Sequence, residues 1–373
     1  MEAIVAQRSG KKILCPRQNA GFGSLRQKFL EEMESEEMIT DAIKKVVESQ
    51  DLTRAEAAAA MNEIMTGQAT DAQISALITA LRMKGETVEE ISGFAEVMRA
   101  KAVAIKPRAR GVVDTCGTGG DLSHTFNIST TAAFVVAGAG APVAKHGNRS
   151  VSSACGSADL LEGLGVKLDI EPDAIAEAID VVGIGFLFAP SLHQAMKYAI
   201  GPRKEIAVRT VFNILGPLTN PAGAPFQILG VYHPDLTETM AGVLAELGTE
   251  HALVVHGSGL DEMTTAGSTR ISEVKDGLVT TYEINPEDFG LVRAAPDSLK
   301  GGSVEINLSI TKSILGGQDG PARDIVMLNA AGALVAAGLA ARMADGLELA
   351  ARALDSGAAA GKLAALIDFT NTP

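Results

Sequence analysis

Two adjacent carboxylates, Asp261-Glu262, follow a pliable Gly257-Ser258-Gly259 turn, and far upstream Gly117-Thr118-Gly119-Gly120 runs into Asp121. Neighbouring carboxylates at a strand end suit Mg2+, which is commonly held by one or two carboxylates plus substrate phosphates. Closely spaced glycines let backbone N–H groups approach an anion. The stretch Asn127-Ile128-Ser129-Thr130-Thr131 reads as the hydroxyl-rich first turn of a helix, whose unpaired donors and dipole also favour negative charge. One strand further on, Lys145-His146-Gly147-Asn148-Arg149 brings two cations. Alone, each piece has a bland reading: a tight turn, a helix start, a solvated acidic pair. Meeting at one sheet edge, they point to a phosphorylated ligand with a divalent cation. The glycine loop is neither a P-loop, which needs Gly-Lys-Ser/Thr, nor the spaced glycines of a dinucleotide fold.

The elements that must position these residues are legible in outline. From Met33 to about Ala104 the pattern is helical. Thr53/Glu56, Thr70/Gln73 and Thr87/Glu90 form capping boxes, and Pro107 marks the end of the run. Past Gly111, strands are expected at Val112–Thr115, Val143–Lys145, Ile184–Ala189, Gln227–Tyr232 and His251–His256. Helices are expected between them at Thr130–Gly138, Pro172–Val181 and Leu236–Leu247. Such alternation implies a parallel or mostly parallel sheet, with ligands beyond the carboxyl ends of its strands. Asp261–Tyr282 reads as a strand–turn excursion, and Ala322 to Asp368 as helices. The cationic, proline-broken segment 191–220 is expected to cross over and complete a small helical domain. The predicted organisation is an extension over 1–32, a small α-domain over 33–105 plus about 191–220, and a larger α/β domain over 106–190 and 221–373.

Composition narrows the partners. A net charge of −13 argues against a nucleic-acid binder, so an anionic ligand must be met by local cations, metal or backbone dipoles. Met327 to Ala341, the longest apolar stretch, is too short and small-sided to span a membrane. Cys15, Cys116 and Cys155 lack metal-ligand spacing and read as reduced thiols of a cytoplasmic protein, Cys116 as a buried small side chain. Residues 1–32 lack a signal-peptide core and carry excess positive charge. A disordered tail or a start assigned upstream of Met33 is the preferred reading, with an organelle-targeting peptide as the alternative.

Gly117-Thr-Gly-Gly-Asp121, Phe126-Asn-Ile-Ser-Thr130, Lys145-His-Gly-Asn-Arg149, Arg209-Thr-Val-Phe-Asn-Ile-Leu-Gly-Pro217 and Asp261-Glu262 together resemble the anthranilate phosphoribosyltransferases of tryptophan biosynthesis. The resemblance covers roughly Met38 to Thr370. It implies a nucleoside phosphorylase/phosphoribosyltransferase-like fold, commonly a homodimer through the small domain. Phosphoribosyl pyrophosphate would be held by Gly117, Thr118, Gly119, Gly120, Asp121, Thr125, Asn127, Ser129, Thr130, Lys145 and Ser157. Ser129, Asp261 and Glu262 would serve Mg2+. Anthranilate would meet Gly117, Asn148 and Arg203, with His146, His193 and Pro217 lining its approach. Lys145, Asp261 and Glu262 would act electrostatically, without a general base. Leu122 departs from the pattern, since relatives often have glycine there. The nearest rival is a pyrimidine nucleoside phosphorylase, but those enzymes carry lysine-histidine-serine where this chain has Lys145-His146-Gly147, and need no acidic metal pair. A non-enzymatic, nucleic-acid-binding relative is the other rival, disfavoured by the charge.

Overall fold

The computed structural model describes residues 38–150 and 154–372, so the expectations for residues 1–32 lie outside the described chain. Four helices come first: α1 (Met38–Val47), α2 (Arg54–Thr66), α3 (Asp71–Lys84) and α4 (Val88–Lys101). The last three each begin in a closed capping box at Thr53, Thr70 and Thr87. Such a cap contributes about 1 kcal/mol. Glu90 does more than close its box. Its carboxylate is fully buried because it also accepts the Leu52 N–H and faces the Lys84 ammonium at 3.0 Å.

The chain then alternates: β1 (Val113–Gly117), α5 (Ile128–Gly138), β2 (Val143–Gly147), α6 (Ser157–Leu164), α7 (Pro172–Val181) and β3 (Ile184–Phe188). A helical crossover follows, α8 (Ala189–Leu192), α9 (Lys197–Ile206) and α10 (Phe212–Leu215), with α9 packed against α2 and α3. Next come β4 (Phe226–Gly230), α11 (Leu236–Glu246), β5 (His251–His256), β6 (Thr269–Lys275) and β7 (Leu278–Ile284). The chain closes with α12 (Val304–Leu315), α13 (Pro321–Ala336), α14 (Met343–Asp355) and α15 (Ala358–Asn371). The seven strands lie in the order β3-β2-β1-β4-β5-β6-β7, parallel from β3 through β5 and antiparallel at β6 and β7.

Strand parity explains how one sheet serves two cores. Ile228, Leu253, Val255 and Ile271 face the cluster built on α5 and α13. Their neighbours Leu229, Ala252, Val254 and Val274 face α11 and the N-terminal helices. Successive side chains point to opposite faces, and a sheet covered on both sides reads as a continuous apolar run. Helix α5 is apolar all round and buried except at Ser129 and Gly138, as expected of a helix enclosed by protein. None of the described helices is long and apolar enough to cross a membrane.

Boundaries differ from the sequence-based expectation where pairing decides them. β1 and β2 each run two residues further, to Gly117 and Gly147, because these glycines still register against Gly230 and Phe188. β4 correspondingly ends at Gly230 rather than Tyr232. Helix α5 starts at Ile128 rather than Thr130. Helices α6 and α12 were not expected from sequence. α12 contains Val304, Ile306, Ile310 and Thr311, β-branched residues that weaken a helical signal.

Candidate active site

The carboxyl ends of β1, β2, β4 and β5 bring the phosphate-like elements together. Gly117 and Gly230 are direct partners on adjacent strands. With no side chain at either position, the Asp261 turn settles onto the sheet edge. A Cβ on Gly230 would overlap the Asp261 carbonyl group, and one on Gly117 would overlap the Asp261 carboxylate. The segment is pinned from α13 as well: Asn329 accepts the Met263 N–H at 2.9 Å and donates to the Met263 carbonyl at 2.8 Å.

So seated, Asp261 accepts the Gly119 N–H through Oδ2 at 2.6 Å, and its own N–H donates to Asp121 Oδ2 at 3.3 Å. Glu262 Oε1 accepts the Ser129 N–H at the start of α5, at 3.2 Å. Asp121 also accepts the N–H and the hydroxyl of Ser123. Burial, then the charge of Asp121, pushes the Asp261 carboxyl up to about 7. Burial and the charge of Asp261 push Glu262 well above the carboxylate range. Crowded oxygens that resist ionisation side by side mark a place where a hard cation would relieve the repulsion. Among the described residues no three His, Cys, Asp or Glu side chains close into a cage around one point. That donor set fits Mg2+ completed by substrate oxygens rather than a metal held by protein alone.

Beneath this edge lies a second charge pair. Lys145, almost fully buried on β2, donates through Nζ to the Thr115 carbonyl at 2.5 Å. Burial lowers its pKa, opposed by Asp114, whose wholly buried carboxylate accepts the His146 N–H at 3.1 Å. Burial in turn raises Asp114, opposed by Lys145. Thr115 also donates to the Ser129 carbonyl at 3.1 Å, which ties β1 to the start of α5. The side chain of Asn127 does not cap α5. It donates to the Cys155 carbonyl and accepts from Asn307 Nδ2, both at 3.0 Å. The Ser129 N–H is thus left to an outside anion, here Glu262. Thr130 is buried in the same first turn. Thr118 fixes the loop to β4 by donating its N–H to Gly230 and accepting that of Tyr232. Thr125 bridges to Lys300.

The other expected residues gather around two imidazoles. His146 and His193 lie with ring centroids 5.1 Å apart, and each has an Nε2 that is buried without a partner. Burial lowers them to about 3 and about 4. The backbone of Gly216 borders His146 and that of Thr219 borders His193, which places the buried Pro217 in the same wall. Arg203 lies over the Phe212 ring, 5.2 Å from its centroid, with its pKa lowered by burial. Asn148 is exposed, and its backbone is held by the Ser157 hydroxyl. Arg149 is not gathered into the phosphate edge: it pairs with Asp159 and Glu162 of the unexpected helix α6. Cys116 is buried, its thiol raised by burial and in contact with Gln227 Nε2.

Sequence reasoning gave no role to Gly230, Asn329, Asp114 or Arg209. Gly230 and Asp114 acquire meaning only through inter-strand register. Asn329 carried a signal, being the polar residue inside the apolar run from Met327 to Ala341.

Residues 40–102 match the helical bundle domain of a glycosyl transferase family, and residues 109–360 match that family's a/b domain. The chain is 59% identical over 336 residues to the anthranilate phosphoribosyltransferase of Moorella thermoacetica, covering 90% of this chain and 99% of the relative. The crystal structure of the Thermus thermophilus anthranilate phosphoribosyltransferase superposes with a TM-score of 0.85 at 43% identity, over 89% of this chain and all of that one. The Saccharomyces cerevisiae enzyme in complex with PRPP and Mg gives a TM-score of 0.82 at 27% identity, over 91% and 99% of the two chains. The same yeast protein has also been solved with 4-fluoroanthranilate.

Proposed function

The chain belongs to the anthranilate phosphoribosyltransferase family, and we infer from its site that it transfers the 5-phosphoribosyl group of phosphoribosyl pyrophosphate to the amine of anthranilate, releasing pyrophosphate. The observation that carries this reading is the meeting of Asp261 and Glu262 with the Gly119 and Ser129 N–H groups. One cluster thereby holds both what a Mg2+ ion needs and what a diphosphate needs. When bound, Mg2+ at Asp261, Glu262 and Ser129 would supply positive charge to the departing pyrophosphate.

The rest follows from the chain's own groups. Breaking the ribose C1–O bond leaves positive charge on the ring and places negative charge on the leaving group. Preorganised dipoles aimed at that growing charge are the cheapest stabilisation available. The N–H groups of the Gly117–Asp121 loop and of the first turn of α5 provide them, with Thr118, Thr125, Asn127, Thr130 and Ser157 as further donor-side contacts. Lys145 adds a buried cation one strand away. The acceptor amine is neutral and becomes acidic only as it bonds to carbon, so positioning replaces a strong base. Arg203 and Asn148 hold the acceptor. His146 and His193 stay neutral, so they line its path without competing as cations for its carboxylate. The same reading includes a homodimer through the N-terminal helices, where Val47 and Met83 stand exposed, and a cytoplasmic location, consistent with the buried, reduced thiol of Cys116.

The test follows the loss of anthranilate fluorescence with phosphoribosyl pyrophosphate and Mg2+. The double variant Asp261→Asn, Glu262→Gln is expected to lose at least about a hundredfold in kcat/KM while keeping its melting temperature. Intact Mg2+-dependent turnover in that variant would remove the metal assignment.

A further inference from the structure

Arg209 lies between the two halves of the site. It follows α9, the crossover helix that carries Arg203 and packs on α2 and α3. Between them the chain turns sharply at Ala207, which takes a left-handed conformation with φ 51°. The Arg209 guanidinium then reaches the glycine loop, where Nη2 donates to the Gly120 carbonyl at 2.5 Å. Its Cζ lies over the Tyr232 ring, 4.3 Å from the centroid. Tyr232 in turn donates its N–H to Thr118 in the same loop. Gly120 leaves just enough room: a Cβ there would run into the guanidinium, with Nη1 only 2.7 Å away. No carboxylate pairs with Arg209 among the described residues, so its grip is on the loop backbone and the ring.

We propose that Arg209 is a positioning residue of the transfer reaction, locking the Gly119–Asp121 turn in its donor-binding shape and making that lock depend on the segment that carries Arg203. In the same turn the Gly120 carbonyl faces the guanidinium and the Gly119 N–H faces the carboxylate cluster, so the loop is held from both sides. Arginine suits the task better than lysine because its broad guanidinium can donate from one nitrogen while its centre sits over the ring. The proposal rests on reading the glycine loop as the donor site.

The experiment measures both KM values for Arg209→Ala, Arg209→Lys and Tyr232→Leu, together with backbone amide exchange over residues 117–124 without substrate. A charge-assisted bond of this kind sets the expected size: KM for phosphoribosyl pyrophosphate rises about tenfold to a hundredfold in Arg209→Ala. KM for anthranilate stays within about threefold, and Arg209→Lys recovers part of the loss through its hydrogen bond. Loop amides should exchange faster in Arg209→Ala and in Tyr232→Leu. Unchanged donor KM in a folded Arg209→Ala protein overturns the proposal. So does an equal rise in both KM values with a lowered melting temperature, which marks a merely structural residue. If Arg209→Ala does not fold, Tyr232→Leu must show the same donor-specific split, and its absence overturns the proposal equally. The exchange measurement needs no catalysis, so a failure of the donor-site reading and a failure of the lock remain separate results.

Discussion

Gly230→Ala tests whether a bare strand edge is what seats the Asp261 and Glu262 carboxylates. Gly230 is buried at the end of β4 and has an ordinary backbone φ, so alanine brings no conformational strain of its own. The obstacle is packing. The new methyl would overlap the carbonyl of Asp261, and even the Asp261 Cα lies only 3.2 Å from it. Backbone cannot rotate away as a side chain can, so the Asp261-Glu262 turn must shift by roughly 1 Å or more, and a displacement of that size at a reacting centre costs about a hundredfold in rate. Overpacking of this kind also costs about 1–3 kcal/mol of stability. The assay is the initial rate across a Mg2+ titration, with urea unfolding alongside. We expect kcat/KM to fall about a hundredfold and the Mg2+ half-saturation to rise, with the protein still folded. Gly361→Ala is the matched control. Its Cβ meets nothing within 4 Å inside helix α15, so it should stabilise the protein by about 0.5–1 kcal/mol and leave the rate alone. A Gly230→Ala protein with unchanged rate and Mg2+ dependence would falsify the seating argument.

Acid should act through the paired imidazoles. His146 and His193 titrate at about 3 and about 4 in the folded chain, below their unfolded value of about 6.5. The unfolded state therefore takes up protons first, and stability falls as pH drops below about 6.5. At about pH 5 each histidine costs about 2 kcal/mol relative to neutral pH. Replacing either by glutamine should shrink the change in unfolding free energy between about pH 7 and pH 5 by that amount, and an unchanged difference refutes the assignment. At the loop tip, Leu122 sits at φ 60° with 73% of its surface exposed. A left-handed non-glycine residue costs about 1–2 kcal/mol, partly offset by the extra unfolded-state freedom of glycine. Leu122→Gly should therefore raise stability by about 0.5–1 kcal/mol with kcat/KM within about threefold. A net loss of stability would show that the leucine is held by contacts that outweigh its strain.

What could be read from the sequence was local, and what could not was set by register. The capping boxes at Thr53, Thr70 and Thr87 need only four residues each, and all three are present. The structure brings together the glycine loop and the Asp261-Glu262 pair, which stood out by residue type. Their seat did not, because it depends on Gly117 pairing with Gly230 across two strands more than a hundred residues apart in sequence. Arg149 looked like a phosphate-side cation because the carboxylates that claim it lie on α6, which gave no helical signal strong enough to read. Lys145 was recognised by type, but its direction came from β2 lying beside β1, which offers it the Thr115 carbonyl.

The bonds that hold the site together are also the bonds a substrate would have to exchange. Asp261 occupies the Gly119 N–H and Glu262 the Ser129 N–H, so the donors proposed above to meet a diphosphate are engaged by carboxylates. A phosphate arriving alone would have to displace like charge from those donors, and like charges at this separation repel strongly in a partly buried site. A cation arriving alone would draw the carboxylates away and leave the part-buried Ser129 N–H without its acceptor, which costs about 1–3 kcal/mol for a buried donor. Under the proposed function the two would arrive together, Asp261 and Glu262 holding the cation while the Gly119 and Ser129 N–H groups face the phosphates, so that no group would be left without a partner. The glycine-rich backbone from Gly119 to His124, with positive φ at Gly119, Gly120, Leu122 and His124, would take up such a rearrangement while β1 and α5 stay tied through Thr115 and the Ser129 carbonyl.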